Sequence, residues 1–271
     1  MKRSTLDILV CPACRAKLEL AGDGSEIEAG MLTCAACQKN YPIEQGIPRF
    51  VRLDELTGQN QKFARFYDWF SAIYAPGARL TYKLFGERGR RRILRHLEPL
   101  SGRVLETSIG SGPNLPYFIN SLLVEEVHGM DISAGQLAQC QRYVRKRGWG
   151  VELVQANAEE LPYQDNTFDA LFHFGGINFF NNMKKAVDEM VRVVRPGAKV
   201  VFSDEGERVA KAYEWALPSF KSFFKGKRQQ VRAPVDLVPG EMEDVQLEWI
   251  LGGHVYIIEF RKPKKNVEVN E

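Results

Sequence analysis

Four of the five cysteines fall into two pairs, Cys11-Pro12-Ala13-Cys14 and Cys34-Ala35-Ala36-Cys37, with nineteen residues between them. Two Cys-x-x-Cys knuckles at that separation form a zinc-ligand pattern. Each knuckle presents two thiolates on a tight turn, and one pair from each completes a tetrahedron. No histidine or carboxylate lies within either knuckle. The expected centre is therefore closed and structural, with no position for an activated water. Residues 1–52 are too few to bury a self-sufficient core, and a metal supplies the missing cross-link. The alternative use of these thiols, two disulfides, is disfavoured in a reducing compartment.

A second constellation runs Val104-Leu105-Glu106-Thr107-Ser108-Ile109-Gly110-Ser111-Gly112-Pro113-Asn114. It reads as a strand, a glycine-containing turn and a helix start. Gly110 and Gly112 permit tight turning and close approach of a ligand to backbone. Asp131 closes the next strand, where a carboxylate can accept both ribose hydroxyls of a nucleoside. Glu106 lies beside the turn, where it would repel a pyrophosphate but suit a cationic amino acid group. Position 115, which the dinucleotide fingerprint keeps small, is Leu115. These features favour S-adenosylmethionine, which carries that cation and no phosphate, over a nicotinamide cofactor.

The elements that must hold these residues alternate between strand-like and helix-like stretches, the pattern of an α/β layered fold. Strands are expected at 103–107, 127–131, 151–155, 168–173 and 199–203. Leu137, Cys140 and Val144 recur on one helical face, which makes Cys140 a buried filler. Met183, Val187, Met190, Val191 and Val194 mark another, stopped by Pro196-Gly197. Val245–Leu251 and Val255–Arg261 form a hairpin around Gly252-Gly253. Residues 53–61 read as a polar linker, dividing a unit at 1–52 from one at 62–271. The chain has 271 residues, 44% of them hydrophobic, and a net charge of +3. That composition excludes wholesale disorder and gives no overall case for nucleic acid. No secretory leader or spanning segment is apparent, so the cytoplasm is expected. Basic stretches at 62–95 and 211–232 read as solvated helix faces or as contacts for an anionic partner.

Through "LDILVCPAC" and "YPIEQGIP" the first unit resembles the small zinc-ribbon proteins that serve as methyltransferase activator subunits. Through "FYDWFSAIYA", "RVLETSIGSGPNLPYF", "HGMDIS", "NAEELPYQDNTFDALF" and "EMVRVVRPGAKVVFSD" the second resembles the class I S-adenosylmethionine-dependent methyltransferases. The nearest groups are the quinone-biosynthesis C-methyltransferases and the phospholipid N-methyltransferases. The resemblance implies a doubly wound, Rossmann-like seven-stranded sheet with helices on both faces and a final antiparallel strand. It also implies that Glu106 reaches the methionine amino group and that Gly110 and Gly112 line the methionine and ribose. Asp131 would hold the ribose, Ile132 flank the adenine, and Asn157 and Ala158 meet its edge. Phe174 would lie near the methionine chain, with Tyr67 and Tyr74 on a helix covering the cofactor. His173 and Asn178 are the polar groups expected nearest the acceptor.

Two positions depart from the family. Ser108 replaces the first loop glycine, implying a wider turn or weaker cofactor binding, and Gly175-Gly176-Ile177-Asn178 replaces a histidine pair. The aromatic, basic stretch 213–232 falls where the family places an acceptor-covering insertion, a lid or membrane-surface contact. The expected acceptor is a small lipophilic or aromatic molecule. The alternatives are a ribosomal or transfer RNA base, or a non-catalytic scaffold.

Overall fold

The computed structural model describes residues 1–21, 24–81, 87–207, 209 and 233–264. The amino-terminal unit opens with a short helix, α1 (Arg3–Leu6), followed by four strands. These are β1 (Leu18–Leu20), β2 (Ala29–Cys34), β3 (Asn40–Glu44) and β4 (Ile47–Pro48), antiparallel in the order β1-β2-β3-β4. Leu18, Leu32 and Ile43 are buried between the strands. Cys34 closes β2, so one knuckle grows directly out of the sheet.

The larger unit is a sheet of seven strands in the order β10-β11-β9-β8-β5-β6-β7. Their ranges are β5 (Gly102–Thr107), β6 (Val124–Asp131), β7 (Glu152–Gln155), β8 (Phe168–Phe174), β9 (Val194–Glu205), β10 (Glu243–Ile250) and β11 (Val255–Arg261). Strands β5 to β9 pair in parallel, while β11 pairs antiparallel with both β9 and β10. This is the expected doubly wound sheet with a reversed final strand. Strand β5 pairs with β6 on one side and β8 on the other, so the order reverses there. The carboxyl ends of β5, β6 and β8 define the crevice where such sheets bind ligands.

Helices α2 (Gly58–Thr81), α3 (Glu87–Arg95), α4 (Ala134–Arg147) and α5 (Met183–Val193) complete the layers. Leu137, Cys140 and Val144 are buried on α4, as their periodicity requires, and the Ser133 side chain caps its first turn. Three local expectations change. The glycine turn leads into a short 3-10 helix, Leu115–Tyr117, whose Pro116 has no amide hydrogen to extend an α-helical ladder. Val194 leaves the helical face and begins β9, pairing with Phe168; β9 then runs through Pro196-Gly197. Helix α2 begins at Gly58, inside the stretch expected as linker, because Asn60 is buried and donates to Glu159 Oε1 (2.8 Å).

The two units share one core. Leu9, Leu32, Tyr41 and Phe50 belong to the same buried cluster as Met130, Val154, Tyr163 and Phe168. The ribbon covers the β7 edge, where the Phe50 N–H donates to the Gln155 carbonyl (2.8 Å), and reaches the loop beyond it, where the Val10 N–H donates to the Pro162 carbonyl (3.0 Å). An otherwise open sheet edge is thereby protected. Among the described residues, no helix is long and apolar enough to cross a membrane.

Candidate functional site

The four knuckle sulfurs converge: all lie within 4.8 Å of one another, with Cys11–Cys37 at 3.6 Å and Cys14–Cys34 at 3.4 Å. A tetrahedron of sulfurs about 2.3 Å from zinc has edges of about 3.8 Å, so the donor set fits that ion. Cys11 and Cys34 are buried while Cys14 and Cys37 face solvent. Donation from the Cys37 and Ala36 amides holds the Cys34 thiol down to about 6, against the opposing effect of burial. It is poised to be a thiolate, the form that binds metal.

At the sheet, β5 and β6 run side by side and carry two buried carboxylates at their carboxyl ends, Glu106 next to last in β5 and Asp131 last in β6. Each oxygen of Asp131 accepts one backbone amide, Oδ2 from Gly110 (2.8 Å) and Oδ1 from Ser133 (2.9 Å). An ionised carboxylate offers about four acceptor sites, so capacity remains for hydroxyl donors. Glu106 Oε1 accepts from Asn114 Nδ2 (2.5 Å), and Asn114 Oδ1 accepts from Arg90 of α3. Glu106 Oε2 is buried without a hydrogen-bond partner among the described residues. Burial drives Glu106 up to about 8, opposed by Asn114 and Arg90, with the Asp131 charge adding to the rise. Burial likewise lifts Asp131 to about 6.

Both turn glycines have positive φ, for different reasons. Around Gly110 (φ +56°) an added Cβ would meet only Gln136 Oε1, at 3.8 Å, whereas at Gly112 it would collide with Leu115 Cδ1 (2.8 Å) and Cys140 Sγ (3.0 Å). Gly112 thus serves helix–sheet packing, while Gly110 leaves open backbone. Gln136 is buried with both ends of its amide unpartnered among the described residues. Together with Glu106 Oε2 it makes orphaned polar atoms around one turn, the mark of a cradle for a polar ligand. Ser108 adopts φ +56°. The turn is therefore the left-handed one a glycine would make, and not a widened one. Because that backbone costs a non-glycine residue about 1–2 kcal/mol, Ser108→Gly is expected to raise stability by about 0.5–1 kcal/mol net of glycine's entropy. Thermal melting should move up by about 2 °C; a fall would contradict the assignment.

Ile132 is half-buried beside Asp131, and its carbonyl accepts from Gln155 Nε2 (3.1 Å). Asn157 caps its own loop by accepting from the Glu159 amide (3.0 Å), next to buried Ala158. Phe174 ends β8 with the Arg90 guanidinium 4.8 Å above its ring. On α2, Phe63 stacks on Phe179 (3.9 Å) and Tyr67 lies one turn further along. Asp68 accepts from Ser133 Oγ (2.6 Å) and the Gly135 amide (2.9 Å), fixing α2 across the start of α4. The Tyr74 side chain and the stretch 213–232 fall outside the described residues.

His173 is buried in β8, with Nδ1 3.1 Å from Thr107 Oγ1 and Nε2 unpartnered among the described residues. Burial pushes it down to about 4, so it is neutral at pH 7. Asn178 donates through its amide N–H (3.2 Å) and Nδ2 (2.8 Å) to Asp204 Oδ2, so its placement is fixed by a buried carboxylate. Sequence reasoning missed Arg90, Asn114, Asp68, Gln136 and Gln155. Polar residues in a basic helix, a turn or the end of a strand carry no distinguishing signal until the crevice is assembled.

The Methyltransferase domain family matches residues 105–202, and the Trm112p-like protein family matches residues 2–46. The phosphatidylethanolamine N-methyltransferase of Cereibacter sphaeroides is 33% identical over 141 residues, covering 50% of this chain and 68% of that one. The demethylmenaquinone methyltransferase of Thermus thermophilus is 30% identical over 135 residues, 50% of this chain and 59% of that one. The phthiotriol/phenolphthiotriol dimycocerosates methyltransferase 1 of Mycobacterium ulcerans is 31% identical over 113 residues, 42% of this chain; the match spans 41% of that protein's length. Among solved structures, the cyclase SpnF superposes with a TM-score of 0.61 at 17% identity, over 77% of this chain and 97% of that one. The chain belongs to the class I S-adenosylmethionine-dependent methyltransferases and carries an amino-terminal zinc ribbon of the Trm112p-like kind. The likeness to a cyclase speaks for the fold alone; activity must be argued from the site.

Proposed function

We propose that the chain moves a methyl group from S-adenosylmethionine to a small lipophilic acceptor. One observation carries this: two buried carboxylates, Glu106 and Asp131, lie at the carboxyl ends of adjacent parallel strands on either side of the open Gly110 turn. In this reading Glu106 Oε2 receives the cofactor's ammonium group and Asp131 its ribose hydroxyls. Ile132, Asn157 and Ala158 border the adenine, and Tyr67 and Phe174 cover the methionine half. When bound, the cofactor supplies an electrophilic methyl carbon on a sulfonium, whose sulfur keeps the bonding electron pair. The protein's share is to hold the acceptor in line, about 3–3.5 Å from that carbon. Burial makes the His173 imidazole a weak base, so its neutral Nε2 serves to orient the acceptor, and an amine or thiolate acceptor needs no base. Asn178, oriented by Asp204, fixes the acceptor edge.

The acceptor class is supported by Phe63, Phe179 and Phe180 grouped beside Asn178 and His173. It is also supported by the lipid, phospholipid and quinone substrates in the relatives' names. The four cysteines would hold zinc for structure, with the ribbon at 1–52 and the methyltransferase unit beyond it. Methyl-tritiated S-adenosylmethionine, offered with a lipid extract and with structured RNA at low and high salt, tests the reading. Label is expected in the organic phase with little salt dependence. Label entering RNA, with affinity falling steeply as salt rises, would replace this acceptor with a nucleic acid.

A further inference from the structure

We infer that Arg49, supplied by the ribbon, is a positioning residue for the nucleoside end of the cofactor crevice, an inference that rests on the cofactor reading above. Arg49 directly follows β4 and forms a parallel bridge with Gln155, the last residue of edge strand β7. Its Nη1 donates to Gln155 Oε1 (3.1 Å), and Gln155 Nε2 donates onward to the Ile132 carbonyl (3.1 Å). Ile132 lies between Asp131 and the Ser133 cap of α4. The relay thus ends on the loop that presents the ribose-binding carboxylate and flanks the adenine.

The chemistry fixes its direction. Arginine can only donate, so Gln155 must turn its carbonyl toward Arg49 and its amide toward Ile132. Without the guanidinium, the glutamine carbonyl is left buried and unsatisfied or the amide flips, and either outcome releases the loop. Arg49 is mostly buried, with 14% of its side chain exposed, and its Nε lies 3.6 Å from Glu44 Oε2. Burial lowers its pKa, and the charges of Glu44 and Asp68 oppose that fall. Asp68 is the residue of α2 that accepts from Ser133 and Gly135. One cation from the ribbon thus bonds the strand end that orders the adenine loop and feels the charge of the helix residue that clamps it.

The test uses the full-length, zinc-replete protein with Arg49→Met, Gln155→Leu and the double variant. Calorimetry with S-adenosylhomocysteine and with adenosine is read beside zinc content, melting temperature and hydrogen exchange at 131–136. Arg49→Met is expected to weaken both ligands roughly tenfold, within the range for members of one hydrogen-bond network. Exchange at 131–136 should quicken while zinc content stays unchanged. Gln155→Leu should behave alike, and the double variant should be little worse than either single one. Arg49→Lys, which keeps one donor, should recover part of the affinity and serves if the methionine variant fails to fold. Unchanged affinity in folded Arg49→Met and Arg49→Lys, or full additivity in the double variant, overturns the inference. If the unsubstituted protein binds neither ligand, the cofactor reading itself falls.

Discussion

Cys34→Ser is expected to destabilise the whole chain and not the ribbon alone. Apparent metal-binding free energies of small zinc units run to about 10–16 kcal/mol, as large as the entire stability of an ordinary domain, about 5–15 kcal/mol. A ribbon robbed of one thiolate therefore loses its fold. Its Leu9, Tyr41 and Phe50 pack in one cluster with Met130, Val154 and Tyr163, so that loss opens the face of the neighbouring sheet. The expected result is a drop in melting temperature of about 10 °C or more, since each kcal/mol moves a chain of this size by about 2–4 °C. Ultraviolet circular dichroism should show one transition, and a strong chelator should reproduce the effect. Two separate transitions, with the sheet's melting unmoved, would contradict the shared core.

The second large effect concerns Glu106 and pH. Its carboxyl is raised from 4.5 to about 8 and that of Asp131 from 3.8 to about 6. Both folded-state values lie above the unfolded ones. The stability they lend the ligand-free chain is full below about pH 4 and is lost as pH rises through about 6 and then 8. A cationic ligand reverses the preference at Glu106, because an ammonium group favours the carboxylate. Binding near pH 7 should therefore release a proton, and affinity for S-adenosylhomocysteine should rise by up to about tenfold per unit toward pH 7.5. Glu106→Gln should weaken binding by about 1.5–3 kcal/mol, the worth of a charged hydrogen bond. It should also remove most of the pH slope. Calorimetry in two buffers of different ionisation enthalpy reads the proton directly; no released proton at pH 7 would mean that the carboxyl is not the ammonium's partner.

Much of this was legible in the chain. The cysteine spacing gives the convergence of Cys11, Cys14, Cys34 and Cys37, because short-range knuckles close locally. The run of strands yields the parallel sheet, and the acids at the ends of its first two strands reach the crevice because strand ends are where side chains meet ligands. What the sequence withheld lies in long-range pairing. Arg90 reaches Asn114, and through it Glu106, only because α3 packs on the turn. Arg49 reaches Gln155 only because the ribbon closes the β7 edge. The linker reading failed at Gly58 because polarity marks solvent-facing loops and helix starts alike, and burial of Asn60 decided between them. Val194 fits a helical period as well as a strand, and its pairing with Phe168 settled the matter. Ser108 illustrates the reverse case, where side-chain identity suggested an altered turn and the backbone kept the left-handed conformation.

The crevice between the ends of β5 and β6 is proposed to bind S-adenosylmethionine through its buried carboxylates. Isothermal titration of zinc-replete protein with S-adenosylhomocysteine, beside Asp131→Ala and beside NADH, tests it most directly. The predicted result is one site per chain for S-adenosylhomocysteine, none for NADH, and a loss of about 1.5–3 kcal/mol in the Asp131 variant as its ribose hydrogen bonds disappear. Absence of S-adenosylhomocysteine binding at millimolar concentration, or saturable binding of NADH that Asp131→Ala removes, would contradict it.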